Sequence, residues 1–168
     1  VGETICYINS KFFNKKTAII RPFNVYGPGM TLNDYRIIPN ITRSLILNEQ
    51  LKIYDTGNQT RTYCYVSDAI CGFFKVILKD EPFGVYNIGN DEGEISVIDL
   101  VKITEDVMNI KINYITSSYP KEYPPDEPRR RCPNINKAKN NLNYYPKISL
   151  NEGLYNHFSW AKKFLKID

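Results

Sequence analysis

The sequence predicts an α/β protein whose strands form only part of a sheet. Short runs rich in β-branched residues alternate with longer segments in which apolar residues recur every three or four positions. Loops dense in proline and glycine separate these segments. Only about five short strands are predicted, few for this class, and the predicted helices carry apolar faces that need a partner. We therefore expect the rest of the sheet to lie upstream of Val1.

Three helices and three strands are predicted in the first half of the chain. Val1–Asn14 has helical spacing without an N-cap before it, so we expect a helix that is already under way at Val1. The strand Thr17–Arg21 runs into the loop Pro22–Gly29, whose prolines and glycines exclude regular structure. The other predicted elements are a helix at Asp34–Leu47 with Asp34 as its N-cap, strands at Leu51–Tyr54 and Thr62–Val66 on either side of a turn at Asp55–Gln59, and a helix from Ser67 or Asp68 to about Leu78.

The second half predicts two more strands and three more helices. Five prolines make Tyr119–Pro133 an extended loop. The predicted elements around it are a strand at Val85–Ile88 closed by Gly89 and Asn90, a helix at Val97–Met108 with Ser96 as N-cap, a strand at Ile112–Ile115, a short helix capped by Asn134 or Asn136, and an amphipathic helix at Leu150–Leu165.

Composition excludes several classes of function. The 168 residues are 42% hydrophobic and 24% charged, as in globular domains, and the net charge of +4 is too small to favour nucleic acid as a partner. No apolar run reaches the roughly 20 residues of a membrane span, and from the absence of a basic-then-apolar stretch at Val1 we expect no leader. Four cysteines without a Cys-x-x-Cys pair and a single histidine make a metal site improbable. We expect reduced thiols in a cytoplasmic protein.

Three polar loops at predicted strand ends carry the candidate binding residues. In the first, Asn24 offers an amide donor to a phosphate or sugar oxygen. In the second, the planar guanidinium of Arg61 can hold a phosphate with two hydrogen bonds. From the residues alone, an ordinary turn and a solvated charge remain the alternatives at these two positions.

The third loop, Asp126–Asn136, holds three arginines in a row. Arg129, Arg130 and Arg131 lie between prolines and repel one another. An anionic ligand, or the nearby Asp126 and Glu127, would relieve that repulsion, while a solvated face of charges remains the alternative.

Taken in order along the chain, these loops resemble a known family. The motifs are RPFNVYGPGM, LKIYDTGNQTRTYCYVSDA, VYNIGND and DEPRRRCPNINKAK. They are similar to the C-terminal half of the NAD-dependent epimerase/dehydratases, the extended short-chain dehydrogenase/reductases that act on nucleotide sugars. The UDP-glucuronate decarboxylase-like branch is the most similar, because M-x-x-N-D-x-R follows Tyr-Gly-Pro and R-R-x-P-x-I-x-K-A-K lies near the end. Cys132 and Asn134 depart from that branch, so a 4-epimerase, a 4,6-dehydratase and a non-catalytic UDP-sugar-binding module remain alternatives.

The resemblance implies a role for seven residues. The resemblance implies that Pro22 and Phe23 border the nicotinamide end of NAD and that Asn87 lies near the nucleotide. It implies that Asn24 contacts the sugar diphosphate and that Tyr54 lies beside the nucleobase. Arg61 is implied to contact the diphosphate and the ribose, and Arg131 to lie near the diphosphate and the sugar carboxylate. In the intact family members, NAD oxidises C4 of the hexose, the 4-keto group activates the neighbouring position, and the hydride is returned. In the decarboxylases the 4-keto group allows the carboxylate to leave as carbon dioxide.

The resemblance also predicts which parts of the enzyme this chain contributes. The family's Tyr-x-x-x-Lys pair precedes a Gly-Glu or Ala-Glu dipeptide, which Gly2-Glu3 matches, so we expect the pair and the glycine-rich NAD loop upstream of Val1. We expect no helix of this chain to carry such a pair, and therefore no catalytic residue and no activity in the chain alone. Residues 1–29 and 62–90 are expected to pack on the Rossmann core, and 30–61 and 91–168 to form the nucleotide-sugar subdomain. A UDP-sugar ligand, the missing NAD-binding portion and a second copy in a homodimer are the expected partners.

Overall fold

The computed structural model describes residues 1–121 and 127–165 and confirms the α/β class. Helices and strands alternate along these residues as the sequence predicts. The helices are α1 (Gly2–Phe13), α2 (Ile37–Leu47), α3 (Val66–Ile77), α4 (Val97–Met108), α5 (Asn136–Leu142) and α6 (Leu150–Phe164). The strands are β1 (Thr17–Pro22), β2 (Val25–Tyr26), β3 (Leu51–Tyr54), β4 (Thr60–Arg61), β5 (Cys64–Tyr65), β6 (Phe83–Ile88), β7 (Ile95–Ser96), β8 (Tyr114–Ser117) and β9 (Arg130–Arg131).

Most of the strand pairs are parallel, and helices cross over between the paired strands. β1 pairs with β6, β2 with β5, and β3 with β8, all in parallel. A separate three-stranded sheet has the order β7-β4-β9, in which β4 is antiparallel to β7 and parallel to β9. Parallel pairing requires long connections, which explains why the strands of each pair are distant in sequence.

Two apolar clusters form the core. The larger one joins α2, β3, α4 and α6 through residues such as Ile41, Leu100 and Phe158, each at most 1% exposed. The smaller one joins α3, α5 and β6 and includes Tyr86 and Tyr144. The cleft described below is lined mainly by residues of the larger cluster and of the short strands beside it.

Three predicted N-caps are wrong: Asp34 for α2, Ser67 or Asp68 for α3, and Asn134 or Asn136 for α5. The residue before α3 is Tyr65 and the residue before α5 is Ile135. The carboxylates of Asp34 and Asp68 accept backbone N–H groups outside the first turn of a helix. The Asp34 carboxylate accepts the N–H of Arg36 at 2.8 Å, and α2 begins only at Ile37. Asp68 lies inside α3, is buried, and accepts the N–H groups of Lys147 and Ile148, each at 2.9 Å. The prediction of Ser96 as the N-cap of α4 is confirmed, since its hydroxyl accepts the Asp99 N–H at 3.0 Å.

Several strands differ from the prediction. Strands β2 and β7 were not predicted, and β2 lies in the loop Pro22–Gly29, where no regular structure was expected. The run Thr62–Val66 is replaced by two short strands, β4 and β5, and the strand predicted at Ile112–Ile115 lies two residues later as β8. The loop predicted at Tyr119–Pro133 contains β9, a two-residue strand that pairs with β4. Within that loop Pro124, Pro125 and Asp126 fall outside the described residues.

Helices α1 and α3 leave large apolar side chains exposed. No residue of α1 is buried, and Phe12 and Phe13 are 70% and 63% exposed. On α3, Phe74 and Ile77 are 59% and 68% exposed. None of the described helices has the length and apolar character needed to cross a membrane.

His157, the single histidine of the chain, joins α6 to α2 inside the larger core. Its Nε2 lies 2.8 Å from the Thr42 hydroxyl, which itself donates to the Ile38 carbonyl at 2.8 Å. Because a hydroxyl has only one proton, Nε2 must be the donor, and the neutral ring carries its proton there. Burial lowers the pKa of His157, and the backbone of Gly27 offsets only part of that effect.

The lowered pKa of His157 predicts a loss of stability in mild acid. An unfolded histidine gains its proton near pH 6.5, whereas the buried ring stays neutral, so the unfolded state binds more protons as the pH falls. We expect the free energy of unfolding, measured by urea denaturation, to decrease between about pH 7.5 and about pH 5.5. His157→Gln is expected to flatten this slope, whatever its effect on absolute stability. An unchanged slope, or an imidazole NMR signal that titrates above pH 6.5, would contradict the prediction.

Candidate functional site

Two arginines lie side by side on neighbouring parallel strands. Arg61 of β4 and Arg131 of β9 are partners in register. Backbone N–H groups of Thr60 and Thr62 donate to the carbonyls of Arg129 and Arg131, at 2.9 Å and 3.3 Å. Since in-register residues of adjacent strands lie about 5 Å apart and on the same face, the pairing brings two guanidinium groups to one place.

Both arginines line a cleft of about 100 Å³. Asn24 at the end of β1 and Tyr54 at the end of β3 line the same cleft, so four of the sequence-predicted binding residues are brought together. Tyr54 and Tyr119 form an aromatic wall, with ring centroids 5.6 Å apart and planes tilted by 34°. A cationic patch next to aromatic rings can hold an anion that carries a planar ring.

Arg61 is the buried cation of this site, with only 6% of its surface exposed. Its Nη1 donates to the carbonyls of Thr60 and Arg129, at 2.8 Å and 3.1 Å. Its Nη2 donates to the Glu127 carboxylate at 2.5 Å. The same carboxylate lies 3.5 Å from the guanidinium of Arg131, whose side chain is 40% exposed. Glu127 therefore bridges the two arginines.

Asn24 clamps the two strands that carry the arginines. Its backbone has a positive φ of 44°, which turns the side chain back toward the sheet. The amide nitrogen donates to the carbonyl of Thr62 at 2.8 Å and to that of Arg131 at 3.2 Å. The amide nitrogen, expected from the sequence to donate to a phosphate or sugar oxygen, instead donates to these two carbonyls and so fixes the spacing between β4 and β9.

The other three predicted site residues lie at the carboxyl end of the β1–β6 pair and do not line the cleft. Pro22 is in register with Ile88, and the Phe23 N–H donates to the Ile88 carbonyl at 2.9 Å. The Asn87 amide donates to the carbonyl of Asn134 at 3.0 Å. Carboxyl ends of parallel strands are where open α/β sheets bind ligands, so these residues lie at a second edge suited to binding.

Sequence reasoning missed two buried polar groups that line the cleft. Within residues 1–121 and 127–165, Gln59 Oε1 and the Tyr63 hydroxyl are buried without a hydrogen-bond partner. Gln59 is held in place through its other atom, since Nε2 donates to the Tyr54 carbonyl at 2.9 Å. Buried polar atoms are rarely left unpaired, so both atoms are suited to pairing with a ligand. The only sequence signal for them is their position on either side of Arg61.

Burial keeps the tyrosines of the cleft protonated. It raises the pKa of Tyr63, Tyr54 and Tyr119, so each phenol is a neutral hydrogen-bond donor at physiological pH. Among the residues that the structure describes, no group of three or more His, Cys, Asp or Glu side chains is arranged to hold a metal ion. The chemistry offered by the site is binding: the guanidinium pair of Arg61 and Arg131 with the Glu127 carboxylate, neutral hydroxyls, an amide oxygen and an aromatic wall. Arg36 and Lys52 add positive charge to the same cleft.

Comparison with known proteins decides the family. The profile of the "NAD dependent epimerase/dehydratase family" matches residues 1–89. UDP-glucuronic acid decarboxylase 5 of Arabidopsis thaliana is 36% identical over 156 residues, and the match covers 92% of this chain and 43% of the relative. The chain belongs to the NAD-dependent epimerase/dehydratase family. This confirms the resemblance found in the sequence.

Further relatives and solved structures agree with this assignment. UDP-glucuronic acid decarboxylase 1 of Xenopus tropicalis is 31% identical over 168 residues, covering 99% of this chain and 38% of the relative. The crystal structure of UDP-glucuronic acid 4-epimerase from Bacillus cereus, in complex with UDP-glucuronic acid and NAD, superposes with a TM-score of 0.85 at 26% identity. That match covers 96% of this chain and 50% of the other. The chain thus spans less than half the length of the curated relatives it matches.

One expectation about the epimerase/dehydratase motifs needs correction. The chain does contain a Tyr-x-x-x-Lys spacing on a helix, because Tyr7 and Lys11 lie on α1, and Lys11 Nζ donates to the Tyr7 hydroxyl at 3.0 Å. The Tyr7 ring packs edge-on against Phe83, the first residue of β6, at 5.5 Å. Six residues of strand, about 17 Å, separate that end from the carboxyl end of the sheet. Tyr7 and Lys11 therefore lie at the opposite edge from the predicted binding residues.

The clamp formed by Asn24 predicts a specific loss of stability. Asn24→Asp replaces the donor with an anion that faces two carbonyl oxygens, so we expect the free energy of unfolding to fall by about 2 kcal/mol at neutral pH. Asn33→Asp is the matched control, because it introduces the same negative charge at an exposed position. This substitution should lower the free energy of unfolding by less than about 0.5 kcal/mol. Urea denaturation of both variants measures the difference. Equal losses in the two variants would show that the clamp contributes nothing.

Proposed function

We propose that this chain forms the nucleotide-sugar-binding half of an NAD-dependent enzyme acting on UDP-glucuronic acid. The observation that carries the proposal is the in-register pair Arg61 and Arg131 beside the aromatic wall of Tyr54 and Tyr119. A nucleoside diphosphate has matching chemistry, because its phosphates carry the negative charge and its base is a planar ring.

Each part of the proposed ligand has a counterpart in the cleft. In this proposal Arg61 holds the diphosphate, and Arg131 lies near the diphosphate and orients the sugar carboxylate. Tyr54 lies beside the base, and Asn24 supports the diphosphate site by fixing the two strands. The unpaired atoms of Gln59 and Tyr63 are placed to hydrogen-bond the same ligand. Asn87 is proposed to contact the nucleotide from the neighbouring edge.

Pro22 and Phe23 are proposed to border the nicotinamide end of NAD. They end β1 at the carboxyl edge of a parallel pair, a position suited to such a cofactor. When bound, NAD would accept a hydride from C4 of the sugar and return it. The residues of this chain hold and orient the sugar for that chemistry. An arginine on the carboxylate is well placed in a decarboxylase, because it fixes the group that leaves.

Decarboxylation is the favoured reaction, because relatives named UDP-glucuronic acid decarboxylase match up to 99% of this chain. The second candidate is 4-epimerisation, since the Bacillus cereus 4-epimerase superposes at a TM-score of 0.85. Both kinds of enzyme are named for UDP-glucuronic acid, so the proposed substrate is the same in either case. Release of carbon dioxide by the intact protein would separate the two reactions.

The apolar faces of α1 and α3 support the proposed partners. We propose that residues 1–29 and 62–90 pack against an NAD-binding portion, and that 30–61 and 91–168 form the nucleotide-sugar subdomain. Phe12 on α1 and Ile77 on α3 are examples of large side chains that such packing, or a homodimer interface, would cover. The chain alone is proposed to bind UDP-sugars without hydride transfer.

The three consecutive arginines provide a matched test of the proposed ligand site. We expect Arg131→Gln to weaken UDP binding, measured by titration calorimetry on the 168-residue chain, by about 10- to 100-fold, the usual effect of losing charged hydrogen bonds. Arg130→Gln makes the same charge change one residue away, but Arg130 is 65% exposed, pairs with Glu94 at 2.7 Å and does not line the cleft. It should change affinity by less than about twofold.

Two results would contradict the proposed function. Equal weakening by the two variants would mean that only net charge attracts the ligand. Absence of UDP binding to the unaltered chain, with far-UV circular dichroism showing that it is folded, would exclude a preformed nucleotide site.

A further inference from the structure

Glu127 occupies the position where the proposed function places an anionic ligand. Its carboxylate binds Arg61 at 2.5 Å and approaches Arg131 at 3.5 Å. The side chain of Arg61 is 8% exposed and that of Glu127 is 19% exposed, so the stronger ion pair is largely shielded from water. Glu127 also lines the cleft together with both arginines.

Arg61 needs an anion whether or not a ligand is present. Backbone carbonyls of Thr60 and Arg129 accept from its Nη1, but they carry no charge to balance the buried guanidinium. Leaving a buried cation without its counter-ion is strongly unfavourable. Glu127 supplies the missing charge, and its longer contact to Arg131 leaves that second arginine only loosely held.

We propose that Glu127 is an intramolecular competitor of the ligand. This inference rests on the proposed nucleotide site. In the absence of ligand, the Glu127 carboxylate stabilises Arg61 and keeps the two guanidinium groups together. A diphosphate that binds the same arginines must displace it, because two anions cannot share one guanidinium edge without strong repulsion.

Displacement makes Glu127 a specificity-determining residue. A ligand must repay the loss of the Arg61–Glu127 ion pair, so a group with several negative charges gains an advantage over a group with few. Neutral ligands that contact only the aromatic wall do not compete with Glu127. Glu127 thus makes the preference for nucleoside diphosphates over nucleosides larger than the two arginines would produce without it.

Glu94 offers a matched control on the same three-stranded sheet. Like Glu127, it pairs with an arginine of the 129–131 run, Arg130 at 2.7 Å, and it accepts the Thr60 hydroxyl at 2.5 Å. It does not line the cleft. Glu94→Gln and Glu127→Gln therefore remove the same charge from neighbouring places, only one of which touches the proposed ligand site.

The test compares the binding of UDP, inorganic pyrophosphate and uridine to the 168-residue chain and to these two variants. We expect Glu127→Gln to bind UDP and pyrophosphate at least about tenfold more tightly than the unaltered chain, because the competing charge is gone. Uridine affinity should stay within about twofold, and Glu94→Gln should leave all three affinities within about twofold. Calorimetry at low ionic strength measures these differences, with thermal denaturation as the check on folding.

Glu127→Asp is the second variant and keeps the test valid if Glu127→Gln does not fold. The aspartate side chain keeps the negative charge but is one methylene shorter, so the charge lies farther from Arg61 and competes less well for it. UDP and pyrophosphate should therefore again bind more tightly, by about threefold or more. Equal or weaker binding of both anions to the folded Glu127 variants would overturn the inference and make Glu127 a residue that positions the arginines. No binding of pyrophosphate to any variant would also overturn it.

Failure of the proposed function has a different signature. If Glu127→Gln tightens pyrophosphate binding but UDP binds no better than pyrophosphate, the competition stands and the nucleotide assignment fails. If UDP binds through Arg131 while Glu127→Gln has no effect, the assignment stands and the competition fails.

Discussion

The parallel pairing of β4 with β9 is the constraint on which the rest of the site depends. Each strand has only two residues, and neither would be stable alone, yet their register brings Arg61 next to Arg131. The Asn24 amide joins the two strands from the side, and Glu127 joins the two guanidinium groups across the cleft. Without any one of these links, the repulsion between the guanidinium groups of Arg61 and Arg131 would be less well opposed, and the two strands would be held together less firmly.

The surrounding fold holds this small sheet in place. The N–H groups of Val97 and Ile98 donate to the carbonyls of Gln59 and Gly57, so the start of α4 is attached to the turn before β4. Gly57 has a positive φ of 76°, and a Cβ there would lie 2.7 Å from the Ile98 side chain. Its replacement would push α4 away from the turn. The position of Arg61 therefore depends on the packing of α4 on the core as well as on the hydrogen bonds of the Arg61 side chain.

The sequence was sufficient to predict the six described helices. Apolar periodicity indicated five of them, and a candidate asparagine cap indicated α5. Four of the seven candidate binding residues, Asn24, Tyr54, Arg61 and Arg131, line one cleft. Strand β9 was not predictable, because two residues between prolines carry no periodic signal and are extended only through pairing with β4. The capping roles of Asp34 and Asp68 were wrong for different reasons. Asp34 accepts the N–H of Arg36 in a local turn before α2 begins, whereas Asp68 accepts N–H groups that only the tertiary fold brings to it.

Roles proved harder to predict than positions. Asn24 is in the cleft, as its motif suggests, but its amide hydrogens go to the Thr62 and Arg131 carbonyls, an arrangement that depends on long-range pairing. Tyr7 and Lys11 show the reverse case. Their spacing matches a catalytic motif, and only the position of α1 against the amino end of β6 separates them from the site. A motif therefore indicates chemistry only after the strand end it occupies is known.

Charge balance stabilises the three arginines that β4 and β9 contribute to this small sheet. Arg130 is neutralised by Glu94 on the outer side, while Arg61 and Arg131 share the single carboxylate of Glu127 on the cleft side. The small sheet thus presents two cations and one anion to the cleft, which Arg36 and Lys52 also line, so a net positive charge remains there. Full neutralisation by further carboxylates would repel an anion. The incomplete neutralisation by Glu127 holds the two arginines together and leaves the net positive charge that the proposed anionic ligand requires.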